Sequence, residues 1–197
     1  MVKRLFDIIF SSVGLIIISP FLLIIAVLIK LNSKGSVFYR GERIGKLGKP
    51  FKIFKFRTMI ENADKLGGPS TSSDDPRLIK IGPFLKKYQL DELPQLINVL
   101  KGEMSLVGPR PEVKIYVDMM SKEERNSILS IKPGMTDLAS LWNFHEGEIL
   151  KGSQYPEKTY IEKIRPTKIK LQLEYVKTRS FWLDLKIILK TLKSAIF

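Results

Sequence analysis

The adjacent carboxylates of Asp91 and Glu92 are the residues of this chain best placed to do chemistry. They stand just ahead of Pro94 and an apolar helical pattern, so Asp91 is predicted to be the N-cap of a helix that stops at Gly102. The free N–H groups of a helix start favour ionised carboxylates, so both acids should be charged at pH 7. Such a carboxylate can cap the helix, hold a divalent cation or attack an electrophile. On these residues alone, capping is the stronger interpretation.

Three cations are candidates for binding phosphate near these acids. Arg110 stands between two prolines, which restrict its backbone and pre-aim its guanidinium group. Strand alternation across residues 51–59 places Lys55 and Arg57 on one face, where they could bind one phosphate or be two solvated cations on an edge strand. Carboxylates repel a phosphoryl group unless a metal offsets their charge. We therefore expect Mg²⁺ on Asp91 and Glu92, together with substrate phosphates.

Composition narrows the classes of function. A chain of 197 residues is long enough for one domain with a sizeable core. It has no cysteine, which excludes disulfides and thiolate chemistry, and its single histidine, His145, excludes a multi-histidine metal site. The net charge of +13 favours a polyanionic partner, which could be nucleic acid, anionic lipid or a phosphorylated small molecule.

The N-terminal segment is apolar enough to enter a membrane. No charged residue lies between Asp7 and Lys30, and the Ser19-Pro20 pair near the middle predicts a break in the helix. Serine can satisfy the carbonyls that such a break frees. Basic residues flank both ends, and the positive-inside rule places such flanks on the cytoplasmic side. This favours a re-entrant hairpin with limbs of about 18 Å, and the alternative is one kinked spanning helix.

The rest of the chain predicts an α+β fold, dominated by helices with a small β-hairpin or sheet. A hairpin is predicted from 36–40 and 51–59, followed by a polar loop at 61–76 that is a mobile lid or a connection. An amphipathic stretch at 77–88 is interrupted at 82–83. Helices are predicted at 112–120 and 121–130, then a turn at 132–136 and three short C-terminal helices. The last helix, 181–193, suits either a membrane interface or a core with one wet edge.

The central motif resembles a known family. The run from Asp91 to Leu96, followed by the run from Asn98 to Pro111, is similar to the signature of the bacterial sugar transferases, the monotopic phosphoglycosyl transferases that start glycoconjugate assembly on a polyprenol phosphate. Phe51–Met59 resembles their basic strand, Lys132–Thr136 their Pro-Gly turn and Ser180–Ile188 their C-terminal helix.

The resemblance implies a two-step transfer. Asp91 would attack the β-phosphorus of a UDP-sugar, and undecaprenyl phosphate would then take the sugar-phosphate from Asp91. Glu92 would deprotonate the lipid phosphate or help to hold Mg²⁺. Site residues implied on the substrate side are Arg110, Lys55 and Arg57 for the diphosphate, and Pro111, Lys132, Gly134 and Thr136 for the nucleotide-sugar.

The resemblance also implies a location. Residues 1–31 would form the re-entrant hairpin, broken at Ser19 and Pro20, and 32–197 a catalytic domain with interfacial helices. The protein would sit on the cytoplasmic face of the bacterial inner membrane, with both ends of the hairpin cytoplasmic. Its partners would be the UDP-sugar, undecaprenyl phosphate and membrane lipid, with no nucleic acid. A homodimer is compatible with this arrangement.

Two departures from the family pattern concern recognition of the sugar. Many members have glycine where this chain has Asp137, and aspartate where it has Gln172. The identity of the sugar is therefore not predicted. Two alternatives to the enzyme remain: a membrane-anchored module that binds nucleic acid or anionic lipid, and an inactive relative acting as a scaffold. A lone histidine is more often structural than catalytic, which is the expectation for His145.

Overall fold

The structure, a computed structural model, describes residues 2–144 and 146–196. Helices dominate it, with small sheets, as predicted. The α-helices are α1 (Val2–Asn32), α2 (Gly82–Lys87), α3 (Leu96–Lys101), α4 (Lys114–Asp118), α5 (Lys122–Ile128), α6 (Leu138–Trp142), α7 (Glu146–Ile149), α8 (Pro156–Thr159), α9 (Arg165–Thr178) and α10 (Phe181–Ile196). The strands are β1 (Phe38–Tyr39), β2 (Glu42–Ile44), β3 (Pro50–Lys52), β4 (Lys55–Phe56), β5 (Ser105–Val107) and β6 (Gly134–Thr136).

The predicted β-hairpin is present, and it is longer than its sequence pattern indicated. Strand β1 pairs antiparallel with β4, and β2 pairs antiparallel with β3 inside the predicted loop. The two innermost strands are joined through a 3₁₀ turn at Lys46–Gly48. Strand β4 ends at Phe56, so the alternation that was expected to align Lys55 with Arg57 does not reach Arg57.

A short parallel pair joins the centre of the chain to its later part. Strand β5 pairs with β6, so Gly134–Thr136 forms a strand where a turn was predicted. The backbones meet very closely here: a Cβ atom on Gly134 would lie 2.0 Å from the Gly108 nitrogen. Glycine is required because only the absence of a side chain permits this approach.

Helix α1 runs without interruption through the Ser19-Pro20 pair. Pro20 has no N–H, which leaves the carbonyl of Ile16 without its helical donor. The Ser19 hydroxyl donates to that carbonyl at 2.8 Å, as the sequence analysis expected of a serine at this place. The N-terminal segment is therefore a single helix from Val2 to Asn32 in the structure, and its division into two limbs stays a prediction.

Both ends of α1 pack against the same folded domain. Near its start, Arg4 donates to the carbonyls of Val99 and Leu100 at 2.6 and 2.8 Å, and Asp7 accepts a bond from the Leu106 N–H at 3.1 Å. Its last turns are buried in a core cluster that includes Ile25, Ile29, Phe56, Ile79 and Leu85. The apolar middle of the helix is exposed.

The polar loop at 61–76 is fastened rather than loose. Arg77 donates to both carboxylate oxygens of Asp75, at 2.9 and 2.7 Å, and to backbone carbonyls of the loop. Ser70 bonds the Tyr116 hydroxyl at 2.7 Å and a carboxylate oxygen of Glu157 at 3.2 Å. These bonds connect the loop to α4 and α8. Of the two alternatives for the loop, a mobile lid and a connection, the structure favours the connection.

The C-terminal third has the helices that were predicted. Ser180 caps α10, since its hydroxyl accepts a bond from the Leu183 N–H at 3.1 Å. Ile187 of α10 is buried with Tyr175 and Val107. The opposite face leaves Trp182 exposed, together with Leu189 and Leu192. Helix α10 therefore combines one core face with one exposed apolar face.

Candidate active site

The acidic pair lies in a 3₁₀ helix, Leu90–Gln95, which leads directly into α3. Gln89 precedes it in the left-handed conformation, with φ of 52°. The helix therefore begins at Leu90, two residues earlier than predicted, and Asp91 lies inside it. The prediction that Asp91 is the N-cap is wrong, because the left-handed turn at Gln89 moves the helix start ahead of it. The predicted stop at Gly102 is confirmed, with φ of 81°.

Glu92 is committed to two cations. Its carboxylate accepts two bonds from Arg110, one of them at 2.9 Å, and one bond from Lys55 at 2.7 Å. Burial alone would raise the pKa of Glu92, but the charges of Arg110 and Lys55 outweigh it and hold the pKa well below its usual range. Glu92 is therefore ionised and fully occupied. It is a poor base, and its carboxylate bridges the two cations.

Asp91 is the opposite case. It is 7% exposed, and within residues 2–144 and 146–196 its carboxylate has no hydrogen-bond partner. Burial raises the pKa of Asp91 to about 6, with Lys55 opposing the rise and Glu92 adding to it. At pH 7 the carboxylate is still mostly ionised, although burial rather than a helix terminus sets its pKa. An ionised, unbonded carboxylate in a site with little water is well suited to act as a nucleophile.

Lys86 is a site residue that the sequence analysis missed. It belongs to α2, which packs against the acidic 3₁₀ helix, and it is half-buried. Burial lowers the pKa of Lys86 to about 8, and the charge of Asp91 opposes this most strongly. In the described part of the chain its ammonium group has neither an ion pair nor a hydrogen bond. The sequence gives little signal, because Lys87 is adjacent and only the fold shows which of the two faces Asp91.

Asp137 is a second residue without a predicted role. It is fully buried, and one carboxylate oxygen accepts the Arg110 N–H at 3.3 Å. The other oxygen caps α6 by accepting the Ser140 N–H at 2.7 Å. This residue, at which the chain departs from the family pattern, therefore ties the backbone of Arg110 to α6. Its position after β6 gave the only sequence signal, that of an N-cap.

The structure brings Lys55 and Arg110 to the acidic pair, but it does not bring Arg57. The guanidinium group of Arg57 donates to the carbonyls of Ser33 and Lys34, at 3.0 and 2.6 Å, just after α1. Arg57 is buried there. These contacts hold the chain just after α1. They keep the Arg57 guanidinium group away from the acidic pair and from any phosphate bound there.

The residues predicted to contact the nucleotide-sugar are dispersed. Gly134 contacts Gly108, and the Thr136 hydroxyl bonds that of Thr191 at 2.7 Å. Burial lowers the pKa of Lys132. The nearby charge of Arg4, which belongs to α1 and bonds the last carbonyls of α3, lowers that pKa further. Pro111 follows Arg110 and lines a small apolar cavity. His145 lies outside the described residues.

A magnesium ion fits only part of the predicted ligand set. The described residues contain no cluster of three acidic, histidine or cysteine side chains. Glu92 does not fit as a ligand, because both of its oxygens are bonded to cations. Asp91 does fit, since its carboxylate has no hydrogen-bond partner among residues 2–144 and 146–196. One carboxylate combined with substrate phosphates is a common environment for Mg²⁺.

Comparison with known proteins identifies the family of the chain. A family model described as bacterial sugar transferase matches residues 1–197. The UDP-glucose:undecaprenyl-phosphate glucose-1-phosphate transferase of Klebsiella pneumoniae is 44% identical over 193 residues, covering 96% of this chain and 39% of that protein. The UDP-N-acetylgalactosamine-undecaprenyl-phosphate N-acetylgalactosaminephosphotransferase of Aeromonas hydrophila is 35% identical over 197 residues, covering 98% and 43%.

A shorter relative is matched over most of its own length. The exopolysaccharide production protein ExoY of Rhizobium meliloti is 35% identical over 207 residues, which cover 98% of this chain and 84% of that protein. By contrast, the chain spans only about two fifths of the two longer relatives. The similarity runs through the acidic pair and the Arg110 segment in all cases, because it extends over nearly the whole chain. The chain belongs to the bacterial sugar transferase family.

Proposed function

We propose that this protein transfers a sugar-1-phosphate from a UDP-sugar to undecaprenyl phosphate at the cytoplasmic face of the bacterial inner membrane. The observation that carries the proposal is the difference between two adjacent acids. Glu92 is bonded to Lys55 and Arg110, whereas Asp91 is buried and mostly ionised, and it has no hydrogen bond from any residue that the structure describes. The names of the relatives support both substrates, and the name of the Rhizobium relative supports a place in exopolysaccharide production.

In the first step, a carboxylate oxygen of Asp91 attacks the β-phosphorus of the UDP-sugar. The bond between that phosphorus and the bridging oxygen breaks, and UMP leaves with the bond's electron pair. In the second step, a phosphate oxygen of the lipid attacks the same phosphorus and Asp91 leaves as a carboxylate. The product is polyprenyl diphosphate-sugar. A covalent carboxylate intermediate divides a transfer between a soluble and an insoluble substrate into two half-reactions.

Glu92 supports this chemistry without touching the reacting phosphorus. It orients Lys55 and the planar fork of Arg110, the donors that would neutralise a diphosphate. Mg²⁺, held by Asp91 and the phosphate oxygens, would supply further neutralisation of negative charge. Asp137 holds the backbone of Arg110 next to the start of α6, because its carboxylate accepts bonds from the N–H groups of Arg110 and Ser140.

We further propose that α1 bends at Ser19-Pro20 when it is in a membrane, so that it enters one leaflet and returns. The two ends of α1 contact one domain, through Arg4 and Asp7 on one side and through Ile25 and Ile29 on the other. Ends that pack on one domain belong on one side of a membrane. The apolar middle is exposed, as a lipid-embedded segment requires, with Ile16 73% accessible. The exposed apolar face of α10 would lie in the same interface.

Topology can be tested by cysteine labelling, since the chain has no cysteine of its own. Val2→Cys and Arg40→Cys should both react with an impermeant maleimide only from the cytoplasmic side of sealed vesicles. Ile17→Cys should be protected from both sides. Labelling of positions 2 and 40 from opposite sides would refute the re-entrant arrangement.

The reaction is tested by loading the purified protein with a panel of UDP-sugars in the presence of Mg²⁺. Intact mass should rise by one sugar-phosphate, with release of UMP, and undecaprenyl phosphate should then remove the added mass. Asp91→Asn should abolish the mass increase, whereas Asp118→Asn, at an exposed side chain, should behave as wild type. An adduct on Asp91→Asn would show that the nucleophile is another residue.

A further inference from the structure

Helix α2 connects the membrane segment to the candidate nucleophile. On one side, Leu85 is fully buried with Ile25 and Ile29 of α1. Just ahead of α2, the Ile81 N–H donates to the side chain of Asn32 at the end of α1, at 3.2 Å. On the other side, α2 packs against the 3₁₀ helix that carries Asp91. Helix α2 therefore offers a lipid one direct path from the apolar helix to Asp91.

One side chain of α2 offers an uncommitted positive charge. Of the cations around Asp91, Lys55 and Arg110 are both bonded to Glu92. Lys86 also interacts electrostatically with Asp91, yet the described residues give its ammonium group no ion pair and no hydrogen bond. A half-buried charge without a partner is unfavourable, and an incoming anion would relieve it. Lys86 is thus the cation most available to a phosphate that approaches Asp91.

A different face of α2 offers exposed aromatic surface. The rings of Phe84 and Tyr88 lie 5.1 Å apart, one helical turn from each other, and are 54% and 38% exposed. The adjacent Leu85 is fully buried and makes the contact of α2 with the core. The two rings are therefore apolar surface that the fold of the domain does not use. A cation on one side of this short helix and two exposed rings on the other suit a ligand with an anionic head and an apolar chain that crosses the helix. A nucleotide-sugar has no such chain.

We propose that α2 is the docking element for the polyprenol phosphate acceptor, with Lys86 contacting its phosphate and Phe84 and Tyr88 contacting its first isoprene units. This rests on the proposed function. As a lipid phosphate oxygen attacks the phosphorus carried by Asp91, the Asp91 O–P bond breaks and a diphosphate forms. Lys86 neutralises the negative charge that the lipid brings to an already anionic centre. Lys86 is then a catalytic residue of the second half-reaction, and the two aromatic residues set affinity for the lipid.

The test separates the two half-reactions in the full chain, purified in detergent micelles. The protein is first loaded with a UDP-sugar that gives an adduct, freed of excess nucleotide, and then mixed with undecaprenyl phosphate. Intact mass reports the rates of adduct formation and of adduct loss. The variants are Lys86→Met and the double change Phe84→Ser with Tyr88→Ser. Their controls are Lys87→Met, which removes the neighbouring charge, and Ile115→Ser, at a side chain that is also 54% exposed.

We expect adduct loss to slow by about tenfold more than adduct formation in both test variants, equivalent to about 1.4 kcal/mol, because burying an aromatic ring or pairing a charge contributes energies of this order. The aromatic variant should recover part of this rate at higher lipid concentration, and Lys86→Met should not. Both controls should match wild type in both steps, and melting temperatures should confirm folding.

Two results would overturn the assignment. Equal slowing of formation and loss by Lys86→Met would place Lys86 on the nucleotide diphosphate instead of the lipid. Test variants indistinguishable from their controls would remove α2 from substrate binding altogether. Failure of the wild-type protein to form any adduct is a different outcome, since it refutes the proposed function itself.

Discussion

Replacing Glu92 with glutamine should destabilise the protein well beyond what loss of an ordinary ion pair costs. In the native site, one carboxylate oxygen accepts bonds from both Lys55 and Arg110, and the other accepts a second bond from Arg110. Glutamine can place its carbonyl at the first position and keep two of these bonds in a neutral, weaker form. Its amide then faces a guanidinium N–H at the second position, donor against donor.

The magnitude follows from these contacts. Losing one charge-assisted bond costs about 2 kcal/mol, and weakening the other two costs about 0.5 kcal/mol each, giving about 3 kcal/mol. The three side chains are between 12% and 26% exposed, so solvent screens part of this. We therefore expect the free energy of unfolding to fall by about 2 kcal/mol. This loss of stability is expected at pH 7, because the lowered pKa of Glu92 keeps its carboxylate ionised there. The stabilisation by Glu92 disappears as pH falls through that lowered pKa.

Urea unfolding in detergent, followed by tryptophan fluorescence, measures the change. Asp118→Asn is a matched control, because Asp118 also lies between two cations, Lys114 at 2.5 Å and Arg125 at 3.8 Å, but is 48% exposed. Exposed pairs contribute about 0.5 kcal/mol or less. If Glu92→Gln destabilises no more than Asp118→Asn, the site is more solvated than the structure indicates and Glu92 does not organise its cations.

Three further predictions follow from individual contacts. Because burial raises the pKa of Asp91 to about 6 and the nucleophile must be deprotonated, single-turnover UMP release should be level above that pH and fall below it; a rate that is flat on both sides would contradict this assignment. The bond to Arg77 lowers the pKa of Asp75, so the pair holds the loop at neutral pH. Asp75→Asn should therefore speed amide hydrogen exchange in residues 61–76, and so should acidification of the wild type below that pKa. Unchanged exchange would refute the contact. Gly134→Ala would place a Cβ atom 2.0 Å from the Gly108 nitrogen and should lower the free energy of unfolding by about 3 kcal/mol in a urea titration, whereas a change below about 1 kcal/mol would show that the strands can separate.

Sequence patterns predicted the elements whose signals are local. The capping box of α5 is present, with the Glu124 N–H bonded to the Ser121 hydroxyl at 3.2 Å and the Ser121 N–H bonded to Glu124 at 2.8 Å. The cap at Ser180 and the stop at Gly102 follow the same logic. Such signals are readable because each depends on residues within one helical turn.

Long-range contacts were beyond local patterns. Lys86 and Lys87 are equivalent in sequence, and only the packing of α2 turns one of them toward Asp91. Arg57 carries the charge that phosphate binding needs, yet the end of strand β4 redirects it to the carbonyls after α1. Pairing of β5 with β6 joins segments far apart in sequence, so a Pro-Gly signal that reads locally as a turn becomes a strand.

The failed prediction of a capping role for Asp91 is informative about function. A capping aspartate spends its carboxylate on backbone N–H groups, which would leave it a weak nucleophile. By starting the helix two residues earlier, the left-handed Gln89 places Asp91 and Glu92 on a 3₁₀ turn, where successive side chains diverge by about 120°. Glu92 then points to two cations, while Asp91 receives no hydrogen bond from the part of the chain that the structure describes. Local rules are expected to fail at functional sites, and here the failure is what separates two adjacent acids into one that holds the site together and one that is free to react.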